Sequence, residues 1–194
     1  MKSLAATFVA GAAMALSIGA AQAQISDDVV KIGGLTDMSS LYSDATGKGS
    51  LTAVQMAVAD FGGKVKGKPI VVLSGDHQNK PDVGVNIVRN WIDNDKMDAL
   101  FDVPTSSVAL ALSTLLTEKN KIFMNSGAGS SDLTGKACSP IFVHYTYDTY
   151  ALSNVAGKAM VKRGEDTWFF VTADYAFGPA LARDAANGVK ENGG

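Results

Sequence analysis

Short apolar runs alternate along the chain with longer segments in which apolar residues recur every three or four positions. The short runs are typical of buried strands, and the longer segments are typical of helices that bury one face. The pattern predicts strands at residues 29–35, 70–73, 98–103, 121–124, 140–143 and 167–172. It predicts helices at residues 51–61, 83–92, 108–116, 152–160 and 181–189. Such alternation indicates an α/β fold, with a mostly parallel Rossmann- or flavodoxin-like sheet and helices on both faces.

The predicted elements fall into two groups. Residues 24–143 contain five predicted strands and three predicted helices, which we interpret as an N-terminal α/β lobe. Residues 144–150 are expected to form a hinge or crossover, and residues 151–194 to begin a second α/β lobe. Because so few strands cannot bury both faces of a sheet, we expect this second lobe to be incomplete and the chain to be truncated.

The first 23 residues have the features of a cleavable signal peptide. Lys2 supplies a positive end, residues 4–21 are apolar and small, and Ala21-Gln22-Ala23 fits the small-x-small cleavage rule. An uncleaved anchor is the alternative. The segment predicts export to the periplasm.

Composition excludes several classes of protein. The 194 residues carry a formal net charge of −2, so a nucleic-acid-binding protein is not expected. No phosphate-binding loop, dinucleotide fingerprint or nucleophile elbow is present, and we predict no cofactor and no metal. Asp76-His77 is a possible metal ligand pair, but loop hydrogen bonding is the favoured interpretation. The single cysteine, Cys138, is expected to be buried or to pair with a residue beyond 194.

Two loops rich in hydroxyl groups and glycine follow neighbouring predicted strands. Thr105 and Ser106 precede a helix, whose free N–H groups and dipole favour an anion such as a carboxylate, although plain N-capping is equally compatible. The loop from Ser126 through Ala128 to Gly129 exposes backbone that a ligand can approach, although an ordinary turn explains it too. Because ligands of open α/β sheets bind at the carboxyl ends of the strands, we place a ligand site there.

Three further residues complete the predicted site. Tyr42 lies in the long polar loop after the first strand. Asp174 and Phe177 follow the predicted strand of the second lobe, where an aromatic ring would cover an apolar part of a ligand or pack in the core.

At these loops the sequence resembles a known family, the type I periplasmic solute-binding proteins of ABC importers that bind branched-chain amino acids, amides and related solutes. The resemblance covers the whole mature chain. It rests on the order and spacing of residues 30–33, 56–61, 76–82, 104–107, 130–134 and 174–178.

The resemblance implies two lobes that close on a ligand by hinge motion. It places Thr105 and Ser106 on the loop that holds a ligand carboxylate, and Ala128 and Gly129 on the loop that holds an amino-acid head group. It places Phe177 at an aromatic position of the second lobe. Gly129 stands where threonine is common, which argues against an ordinary α-amino acid.

The sequence therefore predicts a monomeric substrate-binding component of an ABC importer. It would capture an amino acid, amide or small carboxylate and deliver it to a membrane permease, without catalysis. A ligand-sensing periplasmic receptor and, less favoured, a small α/β hydrolase are the alternatives.

Overall fold

The computed structural model describes residues 27–194, and the predicted signal peptide lies outside this range. The strands are β1 (Val30–Thr36), β2 (Lys64–Val65), β3 (Lys68–Asp76), β4 (Ala99–Asp102), β5 (Ile122–Asn125) and β6 (Phe142–His144). The helices are α1 (Gly47–Asp60), α2 (Pro81–Asp93), α3 (Ser106–Glu118), α4 (Thr149–Lys162) and α5 (Phe177–Glu191). A 3₁₀ turn, Ser131–Leu133, follows β5.

The strands form one sheet in the order β2-β3-β1-β4-β5-β6. Every neighbouring pair from β3 to β6 is parallel, as the alternating pattern predicted. The short β2, which the pattern did not predict, pairs antiparallel with β3. Because the chain leaves β1 for β3 on one side and then crosses to β4 on the other, a crevice is expected at the carboxyl ends of β1 and β4.

Two consecutive glycines in β1 show how helices cover both faces of the sheet. A Cβ atom on Gly33 would lie 2.9 Å from the ring of Trp91 in α2. A Cβ atom on Gly34 would lie 3.3 Å from Leu51 in α1. Since successive strand residues point to opposite faces, α2 and α1 lie on opposite sides of the sheet, as predicted.

The main core lies between the sheet and the helices α2 and α3. Its fully buried side chains include Leu35 of β1, Val88 of α2, Leu100 of β4, Leu112 of α3 and Phe123 of β5. This packing holds the ends of β1, β4 and β5 in fixed relative positions, and these ends carry the loops of interest.

Helices α4 and α5 pack closely against each other. A Cβ atom on Gly157 would lie 3.4 Å from the amide nitrogen of Val189, and one on Gly188 would lie 3.6 Å from the Cα of Asn154. The small residues let the two helix backbones approach, so α4 and α5 behave as one packed pair.

The strand predicted at residues 167–172 is wrong. These residues have no regular structure, and Phe169 and Val171 are each 91% exposed. Within residues 27–194 no strand lies beside this segment to satisfy its backbone groups, and a single unpaired strand is not stable.

Cys138 is exposed rather than buried. No helix in the described part of the chain has the length and apolar character needed to cross a membrane.

Candidate functional site

A cleft of about 410 Å³ opens at the carboxyl ends of the parallel strands. Loops after β1, β4, β5 and β6 contribute to it, together with the start of α5. Its lining residues are Tyr42, Ala45, Thr46, Pro104, Ser126, Gly127, Gly129, Tyr147, Tyr175 and Phe177. Two larger grooves, one beside α1 and one between α4 and α5, are lined almost entirely by apolar groups. The cleft is therefore the place where hydroxyl, amide and aromatic groups converge.

Asp37 shapes the loop that carries Tyr42. The fully buried Asp37 carboxylate accepts hydrogen bonds from the Ser40 amide at 2.9 Å, the Ser40 hydroxyl at 2.6 Å and the Tyr42 amide at 2.9 Å. Burial opposes ionisation, but these hydrogen bonds and the nearby His77 more than offset it, so the pKa of Asp37 lies below its ordinary value. An ionised Asp37 thus fixes the loop and directs Tyr42 to the cleft.

Asp76 and His77 also serve loop structure, which was the favoured interpretation of the sequence. Asp76 accepts from the Met38 amide at 3.0 Å and from the Ser39 hydroxyl at 2.6 Å. His77 is fully buried, and its Nδ1 accepts from the Asn79 amide at 3.0 Å. Burial lowers the pKa of His77, although nearby carboxylates partly oppose the effect. His77 is therefore neutral at physiological pH.

The turn after β4 has an unusual backbone. Asp102 and Val103 both have positive φ, 75° and 63°, which is rare for a β-branched residue such as Val103. One side chain stabilises this turn: the Asn125 amide nitrogen donates to the carbonyl oxygens of Asp102 and Val103, each at 2.9 Å. The Ser126 hydroxyl donates to the Asp102 carboxylate at 2.9 Å. The two candidate loops are thus joined at their base.

Thr105 and Ser106 are both buried at the start of α3. The Ser106 hydroxyl accepts from the Ser130 amide at 3.2 Å, which brings the two polar loops into contact. Thr105 makes no capping hydrogen bond with its side chain, and its Oγ1 has no partner among the described residues. Neither residue lines the cleft itself, although Pro104, immediately before Thr105, does.

In the loop of residues 126–129, two backbone carbonyl groups accept hydrogen bonds. The Nε2 of His144 donates to the Ala128 carbonyl at 2.6 Å, and the Thr149 amide donates to the Gly129 carbonyl at 2.7 Å. Ala128 is fully buried, whereas Gly129 and Ser126 line the cleft. The loop conformation is therefore fixed from two sides.

Four aromatic side chains surround the cleft. The rings of Tyr175 and Phe177 are stacked with centroids 6.1 Å apart, and the hydroxyl groups of Tyr42 and Tyr175 are hydrogen-bonded to each other. Burial, and then the contact with Tyr42, raises the pKa of Tyr175, so its hydroxyl stays protonated. Tyr147 lies against Gly129 from the β6 side.

Of the eight predicted site residues, Tyr42, Ser126, Gly129 and Phe177 line the cleft. Thr105, Ser106 and Ala128 are buried beside it, and Asp174 is exposed outside its lining. Sequence reasoning did not assign Thr46, Tyr147 or Tyr175 to the site. The tyrosine-rich segment 145–150 was a signal for Tyr147, but Tyr145 and Tyr150 in the same segment do not line the cleft.

The lining of the cleft combines aromatic rings with uncharged polar groups. Among the described residues that line it, none is an aspartate, glutamate, lysine, arginine or histidine. The aromatic rings offer faces for a flat apolar group, and the hydroxyl groups offer hydrogen bonds. Neither histidine lines the cleft, nor does Cys138, so the lining supplies no obvious nucleophile and base pair.

The sequence and fold of this chain are similar to those of known periplasmic binding proteins. A family profile described as periplasmic binding protein matches residues 29–194. The crystal structure of a periplasmic binding protein from Burkholderia mallei is 53% identical, with a TM-score of 0.83, over 86% of this chain and 44% of that one. A solute-binding protein of an ABC transporter from Rhodopseudomonas palustris, in complex with 3,4-dihydroxybenzoic acid, is 26% identical, with a TM-score of 0.77, over 87% of this chain and 46% of that one.

A curated relative points in the same direction. Leu/Ile/Val-binding protein homolog 3 of Brucella melitensis is 30% identical over 131 residues, which are 67% of this chain and 35% of that protein. The chain thus spans less than half the length of each of these three proteins.

Proposed function

The chain belongs to the periplasmic binding protein family, and from this we propose that it is part of the substrate-binding component of an ABC importer. The observation that carries the proposal is the cleft at the carboxyl ends of the strands. One of its sides comes from the sheet loops, and the other comes from Tyr175, just before α5, and Phe177, the first residue of α5. Small solutes bind in such clefts between separately folded parts of a chain.

We propose a small carboxylate as the ligand, with a planar apolar body favoured over an ammonium-bearing amino acid. The aromatic rings of the lining support the planar body of this ligand. The Rhodopseudomonas relative, which binds 3,4-dihydroxybenzoic acid, supports it too. The name of the Brucella relative favours leucine, isoleucine or valine instead.

The carboxylate is proposed to bind near the amino terminus of α3. Free N–H groups and the helix dipole favour an anion there, and the Thr105 hydroxyl, which has no partner within residues 27–194, is a spare hydrogen-bond donor. Each hydrogen bond to a charged group contributes about 1.5–3 kcal/mol. Three such bonds are comparable to the roughly 8 kcal/mol that corresponds to micromolar affinity.

We also propose the wider organisation that the sequence suggested. Residues 24–143 form one lobe, residues 144–150 the crossover, and residues 151–194 the first part of a second lobe. The coverage of the relatives, of which this chain spans 44% and 46%, supports this division. Capture by lobe closure in the periplasm would be followed by delivery from a monomer to a membrane permease.

Isothermal titration of the full-length protein with 3,4-dihydroxybenzoate, benzoate and L-leucine tests the proposal. We expect micromolar binding of at least one aromatic acid and weaker binding of L-leucine. Tight binding of L-leucine alone would refute the aromatic acid as the ligand but would agree with the role as a substrate-binding component. Absence of any bound solute, both in titration and by mass spectrometry of natively purified protein, would refute the role itself.

A further inference from the structure

A buried carboxylate on α5 holds the loop that lines the cleft. The Oδ2 of Asp184 accepts hydrogen bonds from the hydroxyl groups of Ser131 and Thr149, each at 2.6 Å. The Asp184 side chain is only 8% exposed. Asp184 lies in the middle of a helix and would be expected on its surface from the sequence alone, so its burial against another segment calls for an explanation.

The same hydroxyl groups are connected to the backbone of the cleft loop. The Ser131 amide donates to the Thr149 hydroxyl at 3.0 Å, and the Thr149 amide donates to the Gly129 carbonyl at 2.7 Å. Asp184 therefore stabilises a junction at which the cleft loop, α4 and α5 meet. Gly129, at one end of this junction, lines the cleft.

Arg183 completes the junction. Its guanidinium group donates to Oδ1 of Asp184 at 3.0 Å and to the Ser131 hydroxyl at 2.8 Å, and it pairs with Asp132 at 2.9 Å. Burial opposes ionisation of Asp184, but the hydrogen bonds from Ser131, Thr149 and Arg183 hold its pKa below the ordinary value. Both oxygens of the buried carboxylate are therefore satisfied, as a buried charge requires.

Phe177 and Asp184 lie seven residues apart on α5, which places them on the same face of the helix two turns apart. Phe177 lies against Gly129, where an added Cβ would be 3.2 Å from its ring, and Asp184 binds Ser131. Helix α5 thus follows the loop over two turns, with a contact at each end. The position of one contact constrains the other.

We infer that Asp184 is a positioning residue, which fixes the register of α5 on the loop of residues 129–131 and so holds Phe177 against the cleft. The inference rests on the proposed function only where solute release is measured. Asp184 and its partners Ser131 and Thr149 would then hold the cleft closed, in addition to stabilising the fold.

Hydrogen exchange in the full-length protein tests the positioning without any ligand. In Asp184→Asn we expect amides 129–132 and, in the first turn of α5, the amides of Gly178 and Ala180 to exchange at least tenfold faster. Amides of β4 and β5 should keep their rates. Thr149→Val should act in the same way, Thr149→Ser should restore protection, and Glu191→Gln, an exposed change on the same helix, should have no effect. Unchanged exchange in both segments, or equal acceleration throughout the chain, would overturn the inference.

Release of 3,4-dihydroxybenzoate, measured by stopped flow, tests the link to Phe177. Asp184→Asn is expected to accelerate release at least fivefold in the wild-type background and less than twofold in the Phe177→Ala background. Equal acceleration in both backgrounds would overturn the inference. If the probe does not bind at all, that result counts against the proposed ligand class, while hydrogen exchange still decides the role of Asp184.

Discussion

The ring of Tyr147 occupies the space that a side chain on Gly129 would need, because an added Cβ would lie 2.7 Å from Tyr147 Cε2. The φ angle of Gly129 is not among the positive values of the chain, so its backbone does not require glycine. What excludes a side chain is the neighbouring ring.

We therefore expect Gly129→Ala to displace Tyr147 and distort the cleft. Binding of 3,4-dihydroxybenzoate should weaken about tenfold or more, since misplacing one aromatic contact costs on the order of 1 kcal/mol and the loop must also shift. Titration of the full-length variant measures this. Gly49→Ala is the matched control, because nothing lies within 4 Å of a Cβ there and alanine favours α1. Wild-type affinity in Gly129→Ala would show that Tyr147 does not define the site.

The hydroxyl pair of Tyr42 and Tyr175 connects the two sides of the cleft. Tyr42→Phe removes one partner while keeping the ring, so we expect solute release to be roughly 2- to 10-fold faster, as the loss of one hydrogen bond allows. Tyr175→Phe should give the same result, and the double variant should add little. Tyr150→Phe, at an exposed position, serves as the control. Unchanged release rates in stopped flow would show that the hydrogen bond between Tyr42 and Tyr175 does not help to retain the solute.

Thr105 carries a buried hydroxyl without a partner among the described residues. Thr105→Val removes that hydroxyl and preserves the shape, so the melting temperature should stay constant or rise, because no hydrogen bond of the protein is lost. Because the hydroxyl is proposed to bind the solute carboxylate, the affinity of Thr105→Val for the solute should fall roughly 10- to 100-fold. Thr105→Ser, which keeps the hydroxyl, should bind nearly as the wild type does. A Thr105→Val protein with full affinity would exclude this contact.

His77 makes stability depend on pH. Its pKa is lowered from 6.5 by burial, so the unfolded chain binds a proton more readily than the folded one. The resulting stability is complete above pH 6.5 and is lost progressively as the pH falls below that value. We expect the midpoint of urea unfolding to decrease between pH 7 and pH 5, a range above the titration of ordinary carboxylates. His77→Gln should lose this dependence, and a flat profile in the wild type would contradict the assignment.

Much of the fold followed from periodicity, because a sheet covered by helices imposes a regular pattern on its residues. Val88, Trp91 and Ile92 show it in α2, and all three are buried. The segment 167–172 shows the limit of the argument. Its β-forming residues Phe169 and Val171 satisfy the local preference for a strand, but strand formation depends on a neighbouring strand that no local pattern reveals.

The candidate site was harder to predict for a related reason. The two polar loops could be located because they follow adjacent parallel strands, whose carboxyl ends meet at one edge of the sheet. Tyr147, Tyr175 and Asp184 reach the site from segments outside the sheet, at angles set by loop and helix packing. Asp184 in particular is a charged residue, a type that is usually found on a helix surface, and only its hydroxyl partners reveal its role.

The double hydrogen bond from Asn125 to the carbonyl groups of Asp102 and Val103 means that the base of the cleft is set during folding, before any solute arrives. An aspartate in its place would bring a third oxygen against the two carbonyls, so the turn depends on an amide side chain. A solute entering such a preorganised base loses little free energy in ordering it. Most of the entropy lost on binding then comes from ordering the segments that carry Tyr42, Tyr147, Tyr175 and Phe177. The rigidity of these segments will therefore determine how tightly a solute is retained.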